Sequence, residues 1–482
     1  MYSFFIIFLS HFHKLSNRIG LVWWTSTVIF LTGDLRADAA TLLGDAILEP
    51  EALNFARGTY GTCINGQTFQ IDAVASLKGW QYGTWFDAKG RLCVGRRQLP
   101  VGVWQRLAFD DYRITHTDVH NVAVLGLCPA DGTIHLAFDH HGSPLHYRVS
   151  RPGTITAPAQ ADWSPSLFSP VTAELVKGHA LNALTYPEFF ATPDGRLQLY
   201  YRIGGSGNGD SHLAEYNPGK GGWTVKGVFV SSNGTYEGSR ARNAYHNGFD
   251  YGPKGRLHTT WVWREMLDNG QWGLLNCHGL QYAFSDDDGQ TWYNNALEKI
   301  GVVKQDPVHL ESTKIMVKPL AYRWGIMNQV TQIVDGRDRV HVVMWQNPPG
   351  APAGSKDMNT WRYTHYWRDE KGQWHEQQLP FFGRKPFLLA DAEDNLVLVY
   401  TKPANLEYHG ADVGGPLHIA TASAKREWND WNDVYSSANS FVGEPRVDKY
   451  RWQKERVLSV YTQEAPLKPG QPSRLHVLDF KP

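Results

Sequence analysis

Short runs in which apolar and polar positions alternate recur along the chain, and they come in pairs split by a turn rich in Asp, Gly and Lys. The stretches His120–Gly142 (HNVAVLGLCPADGTIHLAFDHHG) and Thr185–Arg202 (TYPEFFATPDGRLQLYYR) each read as strand, Asp-Gly turn, strand, which predicts antiparallel hairpins. Equivalent turns stand at Asp87-Ala88-Lys89-Gly90, Asp131-Gly132, Asp194-Gly195, Pro253-Lys254-Gly255, Asp335-Gly336-Arg337-Asp338, Asp391-Ala392-Glu393-Asp394 and, in degenerate form, Asp448-Lys449-Tyr450. Most of these turns lie about 40 to 80 residues apart, the length of a four-stranded sheet with its loops, and repetition at that period predicts radial or linear stacking of sheets. Closure into a ring removes the exposed edges that so many antiparallel strands otherwise leave. The expected fold is all-β, a seven-bladed β-propeller of four-stranded antiparallel blades, with six or eight blades left open because the first and last units are hard to delimit.

Within a hairpin, the start of the first strand and the end of the second are neighbours at the end away from the turn. That rule pairs His120 with His140, Tyr186 with Arg202, Tyr245 and His246 with Arg264, Asn328 and Gln329 with Gln346, and Lys385 with Lys402. If the hairpins are equivalent units, these ends share one face, and a ring of imidazole, phenol, guanidinium and amide groups suits a polar, anionic ligand. His141 and His146 follow the opposite parity or lie beyond the strand end, and read as structural. Lys385 and Lys402 read as solvated rim charges. The motif Ser285-x-Asp287-x-Gly289-x-Thr291-Trp292 fits an Asp-box turn between outer strands, with a structural role.

Composition narrows the choice. The 482 residues carry 47 basic and 47 acidic side chains, so nothing points to nucleic acid or a charged membrane surface as partner. Residues 1–39 differ from the rest, with two short apolar runs, basic residues and an Ala37-Asp38-Ala39 ending, and read as a signal peptide cleaved near Ala39; an uncleaved signal anchor is the alternative. Export to a secreted or periplasmic location follows, with residues 40–482 as a single catalytic domain, a monomer free of the membrane after cleavage. Cys63, Cys93, Cys128 and Cys277 show no metal-ribbon or redox spacing and read as buried thiols, with at most one disulfide. Cys277-His278 offers two donors to a structural zinc but lacks evident partners.

The segments TYPEFF, Asp139–Arg148 (DHHGSPLHYR) and Met327-Asn328-Gln329, together with the Asp-box, resemble the BNR-4 class of propellers, which includes ulvan lyases and related lyases of the L-rhamnosyl-α-1,4-D-glucuronate linkage. The resemblance covers nearly all of the chain after the leader. It implies a seven-bladed propeller that cleaves an anionic polysaccharide by β-elimination at C4 of a uronic acid. It places catalysis on His120, His140, Tyr186 and Arg202, with Tyr245 a fifth position, and leaves Tyr245, His246, Arg264, Asn328 and Gln329 to bind substrate. It implies no cofactor for catalysis; some relatives hold a structural zinc through cysteines and a histidine, a pattern not reproduced clearly here.

The chemistry fits those residue types. Proton loss at C5 of a uronate accumulates charge on its carboxylate, which a guanidinium pairs with bidentately. A base must reach H5 and an acid O4; an imidazole exchanges protons near neutral pH, and a phenol on the same ring face serves O4. This assigns His120 as base or carboxylate-side donor, Tyr186 as acid and possible base, His140 as orienting partner and Arg202 as neutraliser, with the first two roles exchangeable. Two other functions share the scaffold: a sialidase-like glycoside hydrolase and a non-catalytic glycan-binding propeller.

Overall fold

The described residues of the computed structural model are 39–160, 162–267, 276–348, 350–355, 357–406 and 414–482, all within one unit, Ala37–Pro482. The leader lies outside the described residues apart from Ala39. No helix among the described residues is long and apolar enough to cross a membrane.

Strand character follows from burial. Ala123–Cys128 and Thr133–Phe138 are buried at every position, with His135 bonded to Thr133 and Tyr147, whereas strands late in each sheet, such as Gln105–Arg113 and Trp374–Gln378, keep exposed polar positions. Sheets therefore stack through their first strands and turn their last ones outward.

Contacts between first strands run in sequence order. The Leu125 amide donates to the Asp72 carbonyl beside Val74–Leu77 (2.9 Å), and Gly126 lies against Phe189 of Leu184–Ala191. Phe190 stacks on Phe249 of Arg242–Tyr251 at 5.2 Å, and Asp250 accepts from Gln332 Nε2 at 2.9 Å. Thr331 Oγ1 accepts from the Leu388 amide at 3.0 Å, and Phe387 lies under the Arg446 guanidinium at 5.0 Å. The series returns to its start where Asp448 accepts from the Ser76 amide at 3.1 Å. The first and last strands also meet: Thr41–Ala52 pairs antiparallel with Ser473–Lys481.

Six of the seven turns expected from sequence join two paired strands of a sheet. Their aspartates act alike: the Asp87, Asp335 and Asp391 carboxylates each accept the amides two and four residues on, at 2.8–3.0 Å. The Asp87 turn sits one strand later than expected, joining Trp80–Phe86 to Arg91–Gln98. The earlier hairpin turns on Lys78-Gly79, both at positive φ (51° and 76°), a two-residue connection too short to stand out in the sequence. In place of the degenerate turn, Asp448 caps a helix, Lys449–Glu455, by accepting from the Arg451 amide.

Sheet sizes depart from a uniform four strands. They hold seven, six, five, four, four, three and two strands, because Asn432–Val447 serves two neighbours at once and His141–Ser143 leaves its own hairpin to pair with Leu184–Ala191. The Asp-box behaves as expected: Ser285 Oγ accepts from the Gly289 amide (2.8 Å), Asp287 from the Thr291 amide (2.7 Å), and buried Trp292 stacks on Phe229 of the preceding sheet. All four cysteines are buried. His278 is bonded to Glu265 (2.9 Å), which also holds Arg242 (2.8 Å), so the imidazole beside Cys277 belongs to a buried Arg–Glu–His group.

Gly126 permits the close approach of two sheets: a Cβ there falls 2.7 Å from Phe189 Cγ and 2.9 Å from Leu197 Cδ2. Gly126→Ala is expected to destabilise the protein by about 1–3 kcal/mol through overpacking, seen as a lower denaturant midpoint at unchanged m-value.

Candidate functional site

Tyr186 is positioned by an irregularity in its strand. The register of Leu184–Ala191 against Leu197–Gly205 shifts between Thr185 and Glu188, where Pro187 removes an amide donor. Tyr186 itself sits at φ 53°, a conformation that costs a bulky residue energy and is kept where function or packing demands it. The strained residue turns its phenol onto Phe69 (4.7 Å) and beside Tyr245 (6.0 Å).

Arg202 lies opposite Thr185 in the adjoining strand, 1% exposed, with its guanidinium 5.1 Å from the Tyr186 ring and 5.5 Å from the Tyr245 ring. Its Nε and Nη1 are buried with no hydrogen-bond partner among the described residues. A buried cation without a carboxylate costs several kcal/mol, so its retention points to an anion that completes the site. Tyr245 lies between two cations, its hydroxyl accepting from Arg264 Nη1 at 3.4 Å, and Arg264 Nη1 also donates to Asn328 Oδ1 at 3.0 Å.

The two phenols diverge electrostatically. Burial and the neighbouring Tyr245 push Tyr186 up. For Tyr245 burial also acts upward, but Arg264 and Arg202 outweigh it and bring the phenol down to about 8. One phenol is thus held as a proton donor while its neighbour approaches ionisation near neutral pH.

His120 stacks on Phe69 (5.2 Å) and lies 6.0 Å from the Tyr186 ring. Its Nδ1 is 2.6 Å from Asp118 Oδ1, and burial, opposed by that carboxylate, lowers it to about 4, so the ring is neutral. A second histidine stacks on it at 4.4 Å, and this is His141, whose Nδ1 is 2.7 Å from Asp118 Oδ2. His141, expected to be structural, is therefore part of the cluster. His140 is 1% exposed, stacks on His146, and accepts the His146 amide at Nε2 (2.8 Å), so its contacts lie with its own loop. The cause is the strand switch: His141 pairs across to Thr185, which carries it to the neighbouring sheet while His140 stays beneath.

Phe69, Tyr186, Glu188, Tyr245, His246 and Gln329 line one narrow pocket of about 10 Å³, a water-sized space. His246 forms wall rather than donor, since Ser211 and Thr259 hydroxyls occupy its nitrogens at 3.0 and 2.9 Å. Gln329 Oε1 is buried without a partner, and its backbone carbonyl accepts from Lys385 Nζ at 2.8 Å. Lys385, expected as a rim charge, is 5% exposed; Lys402 is exposed as expected. Asp118, Phe69 and Tyr60, the last edge-on to His120 at 4.5 Å, escaped the hairpin rule because they stand on loops before the strands. The grouping of three potential metal donors found among the described residues is Asp118, His120 and His141.

Because Arg202 has no carboxylate partner among the described residues, Arg202→Met is expected to leave the thermal midpoint unchanged or to raise it, while affinity for a carboxylate sugar such as glucuronate falls at least tenfold by calorimetry, about 1.4 kcal/mol. A large drop in the midpoint would mean that the guanidinium is a structural element.

The family model for BNR repeat-containing proteins matches residues 80–381. The long isoform of ulvan lyase from Alteromonas sp is 25% identical over 266 residues, 46% of this chain and 26% of the relative. The short isoform from Alteromonas sp. (strain LOR) is 25% identical over 331 residues, 58% and 60% of the two chains. The chain thus spans about a quarter of the long relatives' length in these alignments. Among solved structures, polysaccharide lyase Uly1 superposes with a TM-score of 0.69 at 18% identity, covering 91% of this chain and 99% of that one. A PL25 ulvan lyase bound to -[GlcA(1-4)Rha3S]- gives 0.67 at 13% identity, covering 90% and 95%. A family match across most of the chain and a shared fold over nine-tenths of it agree: this chain belongs to the BNR repeat-containing family.

Proposed function

We propose that this protein is an exported polysaccharide lyase that cleaves a rhamnose–glucuronate linkage in an anionic polysaccharide such as ulvan by β-elimination, on a seven-bladed propeller. The observation that carries the reading is Arg202, a buried guanidinium without a carboxylate partner among the described residues, flanked by two phenols of opposite proton affinity and a neutral imidazole. The propeller reading is supported by first strands that touch in sequence order and return to the first, and by the pairing of Thr41–Ala52 with Ser473–Lys481.

The substrate carboxylate pairs with Arg202, which offsets the charge that builds on it as C5 loses its proton. His120, neutral and open at Nε2, takes H5. The C5–H electron pair forms the C4–C5 double bond, the C4–O4 bond breaks, and Tyr186, held protonated, donates to O4. The products are an unsaturated uronate and a free sugar hydroxyl. Tyr245, Arg264, Asn328 and Gln329 hold the uronate and its neighbour. The step consumes no oxidant or reductant, and Arg202 supplies the electrostatic role that a cation plays in other eliminations.

A small panel of uronate-containing polysaccharides is the direct test, with ultraviolet absorbance of the conjugated product as readout. Absorbance should rise with rhamnose-linked glucuronate polymers; chain cleavage without that band indicates hydrolysis, and binding without cleavage a lectin-like role. Tyr186→Phe should lower kcat by at least about a hundredfold with substrate affinity retained. Because His120 must be neutral to accept H5, kcat/KM should fall as pH drops through about 4.

A further inference from the structure

Asp118 occupies a loop that the reaction scheme does not use, yet it organises the imidazoles that the scheme needs. Its Oδ1 is 2.6 Å from His120 Nδ1 and its Oδ2 is 2.7 Å from His141 Nδ1. The two rings stack at 4.4 Å with an interplanar angle of 20°, so one carboxylate sets both. Burial acts to raise the Asp118 carboxyl, but hydrogen bonds from His120 and His141 outweigh it and leave it well below the usual carboxylate range. It is therefore an acceptor only, and each imidazole must place its proton on Nδ1. Both Nε2 atoms are then lone-pair acceptors. The group is partly exposed: Asp118, His120 and His141 side chains are 20, 13 and 23% exposed, and half-exposed Tyr60 stands edge-on to both rings.

We propose that Asp118 is a positioning residue that holds His120 and His141 as one stacked pair, both tautomers set by its carboxylate and both Nε2 atoms presented for proton exchange with the uronate. The proposal rests on the lyase reading and adds His141 as a second proton acceptor beside His120. A shared metal ion is the competing use of the same three residues, and the distances argue against it. Zinc bound at about 2.0–2.1 Å to nitrogen and oxygen in tetrahedral geometry separates its ligands by more than 3 Å, whereas these atoms stand at direct hydrogen-bond distance.

A purely structural role is also available, since Asp118 Oδ1 accepts the His120 amide at 3.0 Å in an Asx turn. Asp118→Asn separates the two roles. The amide oxygen keeps the turn, but its NH₂ cannot accept from a second imidazole N–H. The charged and titratable groups facing this pair are His116, whose Nδ1 accepts the Asp118 amide, Arg202, Tyr60 and Tyr186. Asp118 acts to raise His120 and Arg202 to lower it, so loss of the Asp118 charge should move the acid limb of the rate profile to lower pH.

The test uses the full chain. In Asp118→Asn, kcat should fall by about a hundredfold or more with KM and thermal midpoint little changed, and Asp118→Glu should recover part of the loss. Nitrogen-15 NMR of the histidines should show His120 and His141 protonated at Nδ1 in the parent and at least one switched in Asp118→Asn. Unchanged kcat in the variant, or a parent with either imidazole protonated at Nε2, overturns the proposal. A stoichiometric zinc that Asp118→Asn releases would overturn it too. The tautomer measurement is independent of turnover: a parent that yields no unsaturated product defeats the lyase reading and leaves the carboxylate's control of the two rings to be judged by NMR.

Discussion

The architecture depends on one constraint: the first strands of successive sheets are buried on both faces. Polar side chains along such strands, among them Glu188, His246, Asn247 and Gln332, are buried, and His246, Asn247 and Gln332 are held by hydrogen bonds to neighbouring groups. The irregularities at the strand ends, a register shift at Tyr186 and a strand that switches sheets at His141, are where the fold departs from regular pairing. They are also where the candidate chemistry gathers.

Burial sets the electrostatics as well. In the same pocket wall, desolvation raises Tyr186, while two guanidiniums overcome it at Tyr245. Deeper in, Asp72, Glu188 and Asp250 share one ammonium, Lys449, with burial raising Asp72 to about 7 and Glu188 well above its usual range. The wall thus carries guanidiniums beside Tyr245 and, near Lys449, carboxyls whose proton affinity burial raises.

The strain at Tyr186 and the uncompensated charge at Arg202 belong to the same design. Each is unfavourable taken alone, and under the proposed reaction each lowers what must be reorganised on binding a carboxylate. The carboxylate of Asp118 does for the imidazoles what the scaffold does for the phenols: it fixes a proton's position before substrate is present.

Local pattern was enough to read the hairpins, their Asp-containing turns, the Asp-box and the convergence of His120, Tyr186, Arg202 and Tyr245, because strand periodicity and hairpin pairing involve residues near one another in sequence. It was also enough to class the chain as all-β. Tertiary structure alone decided which of two adjacent histidines stacks on His120 and Tyr186, because that depends on a strand crossing to another sheet. It alone buried Lys385 against the Gln329 carbonyl, turned the Asp448 segment into a capped helix, and brought Asp118, Tyr60 and Phe69 to the site from loops with no periodicity to read. Pairing within a hairpin is governed by short-range register; contacts between loops are governed by how whole sheets pack, and no short stretch of residues contains that information.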